Sequence, residues 1–398
     1  MKRVLLAWEL GGGLGHVMTL RRVVRPLAMA GVGVTAAVKD LSAARVLAEA
    51  GIGVVQAPVW PVTFYSEARR RAVSSATFID SLAGFGLADA AALSSLLAAW
   101  RQLFALVKPD LVVADFAPAA ALATRHNLPL ATVGQGYSNP PSGLDRFPLL
   151  HHYAPPVWQE TAVLAAVNKA LANFSIRPLT RLGEIFQADA VAITNFRVLD
   201  PYRAYRAAPA RGPFFDTPPL ARRPDAATIF AYLSESGNLR DDVVAALLPL
   251  GSRLRLVGPG LSSAQLAAFR KAGASIPPNL PDLGQELADA RLVIHLGGAA
   301  TAASALAAGV PQLVLAVDIE KELTGQALEQ AGIGKLIRVY DPNVLLTTET
   351  VITLAEDAAL AARAGAVGLL HRRMLSADPL AAFVGECLEL LGLPAPIF

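Results

Sequence analysis

The stretch Leu292–Ala308, LVIHLGGAATAASALAA, decides how this chain is to be read. An apolar run ends at His295, the small residues Gly297-Gly298-Ala299 turn the chain, and Thr301 opens an alanine-rich helix. A strand feeding a helix through such a turn puts the helix's first amides and positive dipole end at the sheet's carboxyl edge, where an anion binds well. Small side chains at 297–300 would let a diphosphate approach the backbone closely. The same residues serve equally as a tight strand-to-helix packing turn, and this stretch alone leaves both readings open. It also lies in the widest gap without Asp, Glu, Lys or Arg, Leu292–Val317. By hydropathy that gap is long enough to span a bilayer. His295, the glycine pair and Gly309-Val310-Pro311 instead divide it into strand, turn, helix, turn and strand.

Outward from this stretch, short apolar runs alternate with longer Ala/Leu-rich segments, the pattern of βα units around a parallel sheet. In the first half the strands are expected at Val4–Trp8, Gly33–Val38, Gly53–Gln56, Leu111–Ala114, Leu130–Val133 and Val191–Thr194. Helical spacing occupies Met18–Ala30, Ser42–Ala50, Ala88–Val107 and Pro118–His126. Arg211–Asp225 (RGPFFDTPPLARRPD) then carries four prolines in fifteen residues, which breaks both helix and strand. The alternation restarts with strands at Thr228–Leu233, Leu254–Val257, Arg291–His295, Gln312–Ala316 and Lys335–Arg338. Helices are expected at Asp241–Leu248, Ala264–Ala272, Thr301–Ala308 and Leu323–Ala331, and Asp378-Pro379 opens one more amphipathic helix to Leu391. The expected fold class is therefore α/β, two Rossmann-like parallel-sheet domains facing each other across a ligand-binding cleft. Residues 1–210 form the first domain, 211–225 the linker, 226–376 the second domain, and 377–398 a helix packing back toward the first.

Composition bounds the function. The 398 residues carry 35 Lys+Arg against 32 Asp+Glu, a net +3, with 17% charged and 54% hydrophobic residues. Such a chain is ordered, and its densest basic cluster, Arg69-Arg70-Arg71, is too short for a nucleic-acid-binding stripe. No nucleic-acid partner is expected. The N-terminus has no small-residue cleavage site, and one cysteine, Cys387, rules out a disulfide framework or a multi-Cys metal centre. A soluble, cytoplasmic protein without a transmembrane segment is expected, with room for peripheral membrane contact.

A second glycine-rich turn follows the first strand: Leu10–Thr19, LGGGLGHVMT. Starting from Gly11 or Gly13, the third glycine of a G-x-G-x-x-G would fall at His16 or Met18, so the dinucleotide fingerprint fails. No Gly-Lys-Ser/Thr is present either. What remains is His16 on a strand-to-helix turn, with Gly13 and Gly15 letting a ligand approach the helix amides. Imidazole is the natural general base near neutral pH, and it gains from an acid that fixes its tautomer. Asp115, ending the run Leu111–Ala114, is the candidate. The plainer alternatives are a helix-capping surface histidine and an N-cap for the helix near Pro118.

Taken together, these motifs resemble the GT-B glycosyltransferases of the UDP-glycosyltransferase type. His295-Leu296-Gly297-Gly298-Ala299-Ala300-Thr301 with Ala307-Ala308-Gly309-Val310-Pro311-Gln312 is similar to their H-x-G-G-x-x-T…A-x-G-V-P signature. Ala331–Gly334, the G-x-G-H turn at Gly13–His16 and Pro109–Phe116 match in order. The resemblance implies an inverting, metal-independent sugar transferase with His16 as base and Asp115 as its partner. It implies no cofactor, but a nucleotide-diphosphate sugar co-substrate, UDP or TDP, and a small-molecule acceptor. The donor would be held by His295, Gly297, Gly298, Ala299 and Thr301, with Ser236 in the turn after the second half's first strand. Glu320-Lys321 stands where the family carries an acid–Gln pair on the sugar hydroxyls, so Glu320 would face the sugar. Ile276–Leu283 stands in place of the Trp-x-Pro-Gln segment.

Two other readings share the architecture: a non-catalytic GT-B auxiliary or binding protein, and a sugar-nucleotide epimerase. The acceptor side would be lined by Trp60–Tyr65, Phe78–Phe85 and the irregular, aromatic Tyr137–Trp158, giving an apolar or aromatic acceptor. Adjacent His151 and His152 point to opposite sides of an extended chain, so no metal site is expected there.

Overall fold

A computed structural model describes residues 1–61, 75–233, 240–375 and 378–394. Eleven strands in the described residues form two wholly parallel sheets. The first contains β1 (Arg3–Trp8), β2 (Gly33–Val38), β3 (Gly53–Gln56), β4 (Leu111–Asp115), β5 (Leu130–Gly134) and β6 (Ala190–Ile193), in the order β3-β2-β1-β4-β5-β6. The second contains β7 (Thr228–Tyr232), β8 (Leu254–Val257), β9 (Ala290–His295), β10 (Gln312–Ala316) and β11 (Gly334–Arg338), in the order β11-β10-β9-β7-β8. The expected pair of parallel sheets is present, and the sheets have the GT-B topology.

The strands form where helices cover both faces: β4 and β5 are buried at every residue, as uniformly apolar runs require. In each sheet the strand order reverses once, and ligands bind at such switch points in open α/β sheets. In the first sheet the reversal falls between β1 and β4, which pair with Trp8 opposite Asp115. In the second it falls between β7 and β9, with Tyr232 opposite His295. Each candidate histidine therefore lies at or just beyond a carboxyl end beside a switch point.

The chain divides into two compact units. The first holds residues 1–194 and 202–214 together with the C-terminal helix Pro379–Leu390. That helix buries Phe383, Val384, Cys387 and Leu388 in the cluster built on β1, β2 and the helix Gly15–Met29. Asp378 caps it, accepting from the amides of Leu380 and Ala381, and Pro379 fills its first turn. The second unit holds residues 195–201 and continues from Phe215. Its short excursion contributes Phe196 and Leu199 to a cluster with Ala302, Leu306 and Leu328. Helix Ala358–Met374 comes against helix Ala299–Ala308 so closely that a Cβ on Gly368 would lie 2.6 Å from the Gly309 Cα.

Some boundaries differ from expectation. The helix expected from Leu323 starts at Ile319, because Asp318 caps it by accepting from the Lys321 amide at 2.9 Å. Ser42–Ala50 holds only the four-residue helix Arg45–Ala48. Helices not expected from the pattern occupy Phe78–Leu82, Glu160–Ala172, Leu283–Ala288, Thr348–Glu356 and Ala358–Met374. Helix Ala90–Val107 is long and apolar enough, by length and composition, to cross a membrane. It lays Leu93, Leu96, Leu97, Trp100 and Phe104 inward as one helical stripe.

Candidate functional site

In the first unit the chain leaves β1 at Trp8 and reverses through Gly11 and Gly13, whose φ angles of +81° and +75° suit glycine. It then enters the helix Gly15–Met29, whose start has no side-chain cap. This turn delivers His16 to Asp115: Nδ1 and Oδ1 lie 2.9 Å apart, and both residues are buried, at 8% and 1% exposure. The carboxylate can only accept, so Nδ1 carries the hydrogen and donates it. The imidazole stacks on Trp8 at 5.5 Å and tilts against Phe116 at 6.1 Å.

Two glycines make room for the pair. A Cβ on Gly11 would sit 2.2 Å from His16 Nε2, so the imidazole occupies the space that a side chain there would fill. A Cβ on Gly134, at φ +148°, would meet Asp115 Oδ1 at 2.8 Å. Around Gly13 and Gly15 the equivalent space is open. Lys39 donates to the Gly11 carbonyl at 2.7 Å and so holds that peptide, while burial draws its ammonium below the usual lysine range. Sequence reasoning placed His16 and Asp115 but missed Gly11, Gly134 and Lys39 as their supports.

Behind the turn stands Glu9, fully buried and also missed from sequence. Its carboxyl accepts from the amides of Ala119 and Ala120 and from Trp60 Nε1, at 3.0, 2.7 and 2.8 Å. It thus ties the end of β1 to the helix Pro118–Thr124 that follows Asp115. Burial pushes its pKa up to about 7, although the hydrogen bonds it accepts pull the other way.

Aromatic rings continue from His16. Phe116 stacks on Phe78 at 5.8 Å, and Phe78 meets Tyr137 edge-on at 5.0 Å and Phe186 at 5.7 Å. Tyr137 and Phe147 belong to the segment 137–158, which has no regular structure but is firmly tied. Buried Asp80 accepts from the amides of Ala76 and Thr77 and from those of Val157 and Trp158. Glu160 accepts from the Phe147 amide at 2.9 Å. His151 is buried and stacks on Tyr153 at 3.6 Å, whereas His152 is exposed. Of the expected acceptor-side stretch Trp60–Tyr65, residues 62–65 lie outside the described residues.

In the second unit β9 ends in His295, 1% exposed, and both ring nitrogens are used internally. Nε2 faces Gln312 Oε1 at 2.9 Å, and Nδ1 accepts from the Gly297 amide at 3.1 Å. Burial draws the imidazole's pKa down to about 4, so it is neutral at physiological pH. Gly297 has a φ of +89°, and a Cβ there would lie within 2.9 Å of Lys321 backbone atoms. Gly298 stands in the N-cap position of the helix Ala299–Ala308 without a side-chain cap. The first amides of that helix, through Thr301, therefore have no intrahelical acceptor.

Glu320 lies in the first turn of the helix Ile319–Gln330 and pairs with Lys321 at 3.3 Å. The Lys321 ammonium also meets Asp318 at 3.7 Å. Ser236 lies outside the described residues. His16 and Asp115 are brought together in one unit, and His295, Gly297, Gly298, Ala299 and Thr301 in the other, with Glu320 one residue from Lys321. Among the described residues no three His, Cys, Asp or Glu side chains gather as a metal-ligand set.

Known proteins resemble this one chiefly in fold. Residues 267–390 match the family model "Erythromycin biosynthesis protein CIII-like, C-terminal domain". No curated protein sequence matches the chain. Among solved structures, CalG4, the calicheamicin glycosyltransferase, is 21% identical over 99% of both chains, with a TM-score of 0.70. The glycosyltransferase VinC in complex with DTDP is 15% identical over 98% of this chain and 99% of its own, with a TM-score of 0.63. SnogD from Streptomyces nogalater is 19% identical over 98% and 99%, with a TM-score of 0.58. The chain thus has the GT-B fold, and its residues 267–390 are similar to the erythromycin biosynthesis protein CIII-like C-terminal domain.

Proposed function

We propose that this protein is an inverting glycosyltransferase that moves a sugar from a nucleoside-diphosphate sugar to a hydroxyl of a small apolar or aromatic acceptor. The observation that carries the reading is the buried His16–Asp115 pair beside the switch point of the first sheet. With Nδ1–H given to Asp115, Nε2 is the nitrogen that takes the acceptor's proton. The freed oxygen attacks the anomeric carbon from the face opposite the diphosphate. The new C–O bond forms as the old one breaks, and the nucleoside diphosphate leaves with the electron pair. Asp115 stays ionised and stabilises the imidazolium.

The leaving group's charge falls to the amides at the start of helix Ala299–Ala308, which need no metal to act. Neutral His295 shapes that turn rather than lending it charge. Glu320 accepts from sugar hydroxyls, with Lys321 paired to it at 3.3 Å. A thymidine or uridine diphosphate donor is supported by VinC, whose structure holds DTDP. An apolar acceptor is supported by the ring series from His16 to Phe186 and by SpnG, a spinosyn rhamnosyltransferase whose structure is complexed with spinosyn aglycone.

Mass spectrometry of the protein mixed with a panel of sugar nucleotides and phenolic, polyketide and lipid acceptors tests this. The expected result is an acceptor heavier by one sugar residue, with stoichiometric release of nucleoside diphosphate. Nucleotide binding without product from any acceptor is what an auxiliary protein would give, and it would count against the reading.

A further inference from the structure

Behind the glycine turn of the second unit runs a chain of three hydrogen bonds with one possible direction. The Ala302 carbonyl can only accept, so the Gln312 amide turns its NH₂ toward it, at 3.2 Å. That leaves Gln312 Oε1 facing His295, where it accepts from Nε2–H at 2.9 Å. An imidazole with its hydrogen on Nε2 has a lone pair on Nδ1, and this accepts the Gly297 amide at 3.1 Å. Gln312 is 0% and His295 1% exposed, so water does not compete for these groups. The first link is anchored in the helix Ala299–Ala308 and the last in the turn that leads into it.

We propose that Gln312 is a positioning residue for the donor: it sets the His295 tautomer and so fixes the Gly297 peptide that opens the diphosphate-holding turn. The consequence divides the turn. The Gly297 amide is committed inward to His295, and the ligand's charge falls to the amides that follow it. At φ +89° and with no room for a Cβ beside the Lys321 backbone, position 297 is one that only glycine fills. The wrong tautomer would set Nδ1–H against the Gly297 N–H, and the peptide would have to turn away. Neutrality of His295 down to about pH 4 keeps Nδ1 an acceptor throughout the working range. The inference rests on the second unit's turn being the donor site.

Three measurements on the full-length protein test it. Long-range ¹H–¹⁵N spectra report which imidazole nitrogen is protonated, and comparison with His295→Gln picks its signal out of six histidines. Wild type should show the Nε2–H form alone from pH 5.5 to 8. In Gln312→Leu that form should give way to a mixture. Calorimetry with UDP and TDP should then show affinity lower by about tenfold, the worth of roughly one net hydrogen bond. KM for the sugar nucleotide should rise by the same factor, with kcat at saturating donor within about twofold of wild type. A wild-type Nδ1–H form overturns the inference even if Gln312→Leu fails to fold. So does a folded Gln312→Leu that binds the diphosphate as wild type does. Failure of wild type to bind any nucleoside diphosphate overturns the donor-site reading first, and the inference with it.

Discussion

At the scale of single residues, the site depends on atoms that are missing. Gly11 and Gly134 leave the volumes into which His16 and Asp115 fit, and both hold backbone angles that favour glycine. Gly11→Ala would bring a methyl to 2.2 Å from Nε2 and strain a left-handed residue, at about 1–2 kcal/mol for the backbone alone. The expected outcome is turnover reduced at least 100-fold by a displaced imidazole, as for loss of a general base. UDP or TDP affinity should hold, since the turn proposed to hold the diphosphate lies in the other unit. A steady-state assay beside calorimetry checks both.

Glu9 gives a pH signature. Its folded pKa, about 7, lies above the ordinary 4.5, so between those values the folded chain binds a proton that the unfolded chain releases. Stability from this group is whole below pH 4.5 and is lost as pH rises through 7. Denaturant unfolding of wild type and Glu9→Gln at pH 5 and pH 8 should show the variant gaining on wild type at the higher pH, by roughly 3 kcal/mol at most. Parallel pH curves would contradict it. His16 and Asp115 were legible because each closes an apolar run or a glycine turn. Gln312, Lys39 and Gly134 were not, because their meaning comes from partners on other strands and turns.

Elements form where local signals and packing agree, and the sequence was readable where both acted. Asp378-Pro379 announced the last helix, and all the expected strands formed; β4 and β5, covered on both faces, are the uniformly apolar ones. Helices Glu160–Ala172 and Ala358–Met374 escaped notice. Alanine in both blurs the apolar stripe. The helix start at Ile319 was not legible, because the capping role of Asp318 depends on geometry.

The irregular segment 137–158 shows the same limit. Composition suggested a loop, and the structure finds one held by buried carboxyls. Asp80 alone receives four backbone amides, two from its own capping turn and two from Val157 and Trp158. Asp80→Ala would leave buried donors unsatisfied and should cost about 2–4 kcal/mol in urea unfolding. Acceptor KM should rise more than donor KM, because the segment released belongs to the first unit. A variant as stable as wild type would mean that the segment is held by its rings.

For the whole molecule, two parallel sheets each place a histidine at a switch point, and the two histidines play opposite parts. His16 sits against a carboxylate that can support its charge. His295 is sealed among neutral partners and stays uncharged. The alternation of strands and helices made this two-sheet plan legible. The excursion of residues 195–201 into the second unit was not, because Phe196 and Leu199 gain their meaning only from the cluster they complete.

The central claim is that His16 serves chemistry while the second unit serves the donor. Its most direct test is the turnover of His16→Ala measured beside its affinity for the nucleoside diphosphate, on the first acceptor that wild type glycosylates. The account predicts kcat lower by about 10²–10⁴, with diphosphate affinity within about twofold of wild type. Turnover that survives intact, or turnover and diphosphate affinity falling together by the same factor, would contradict it.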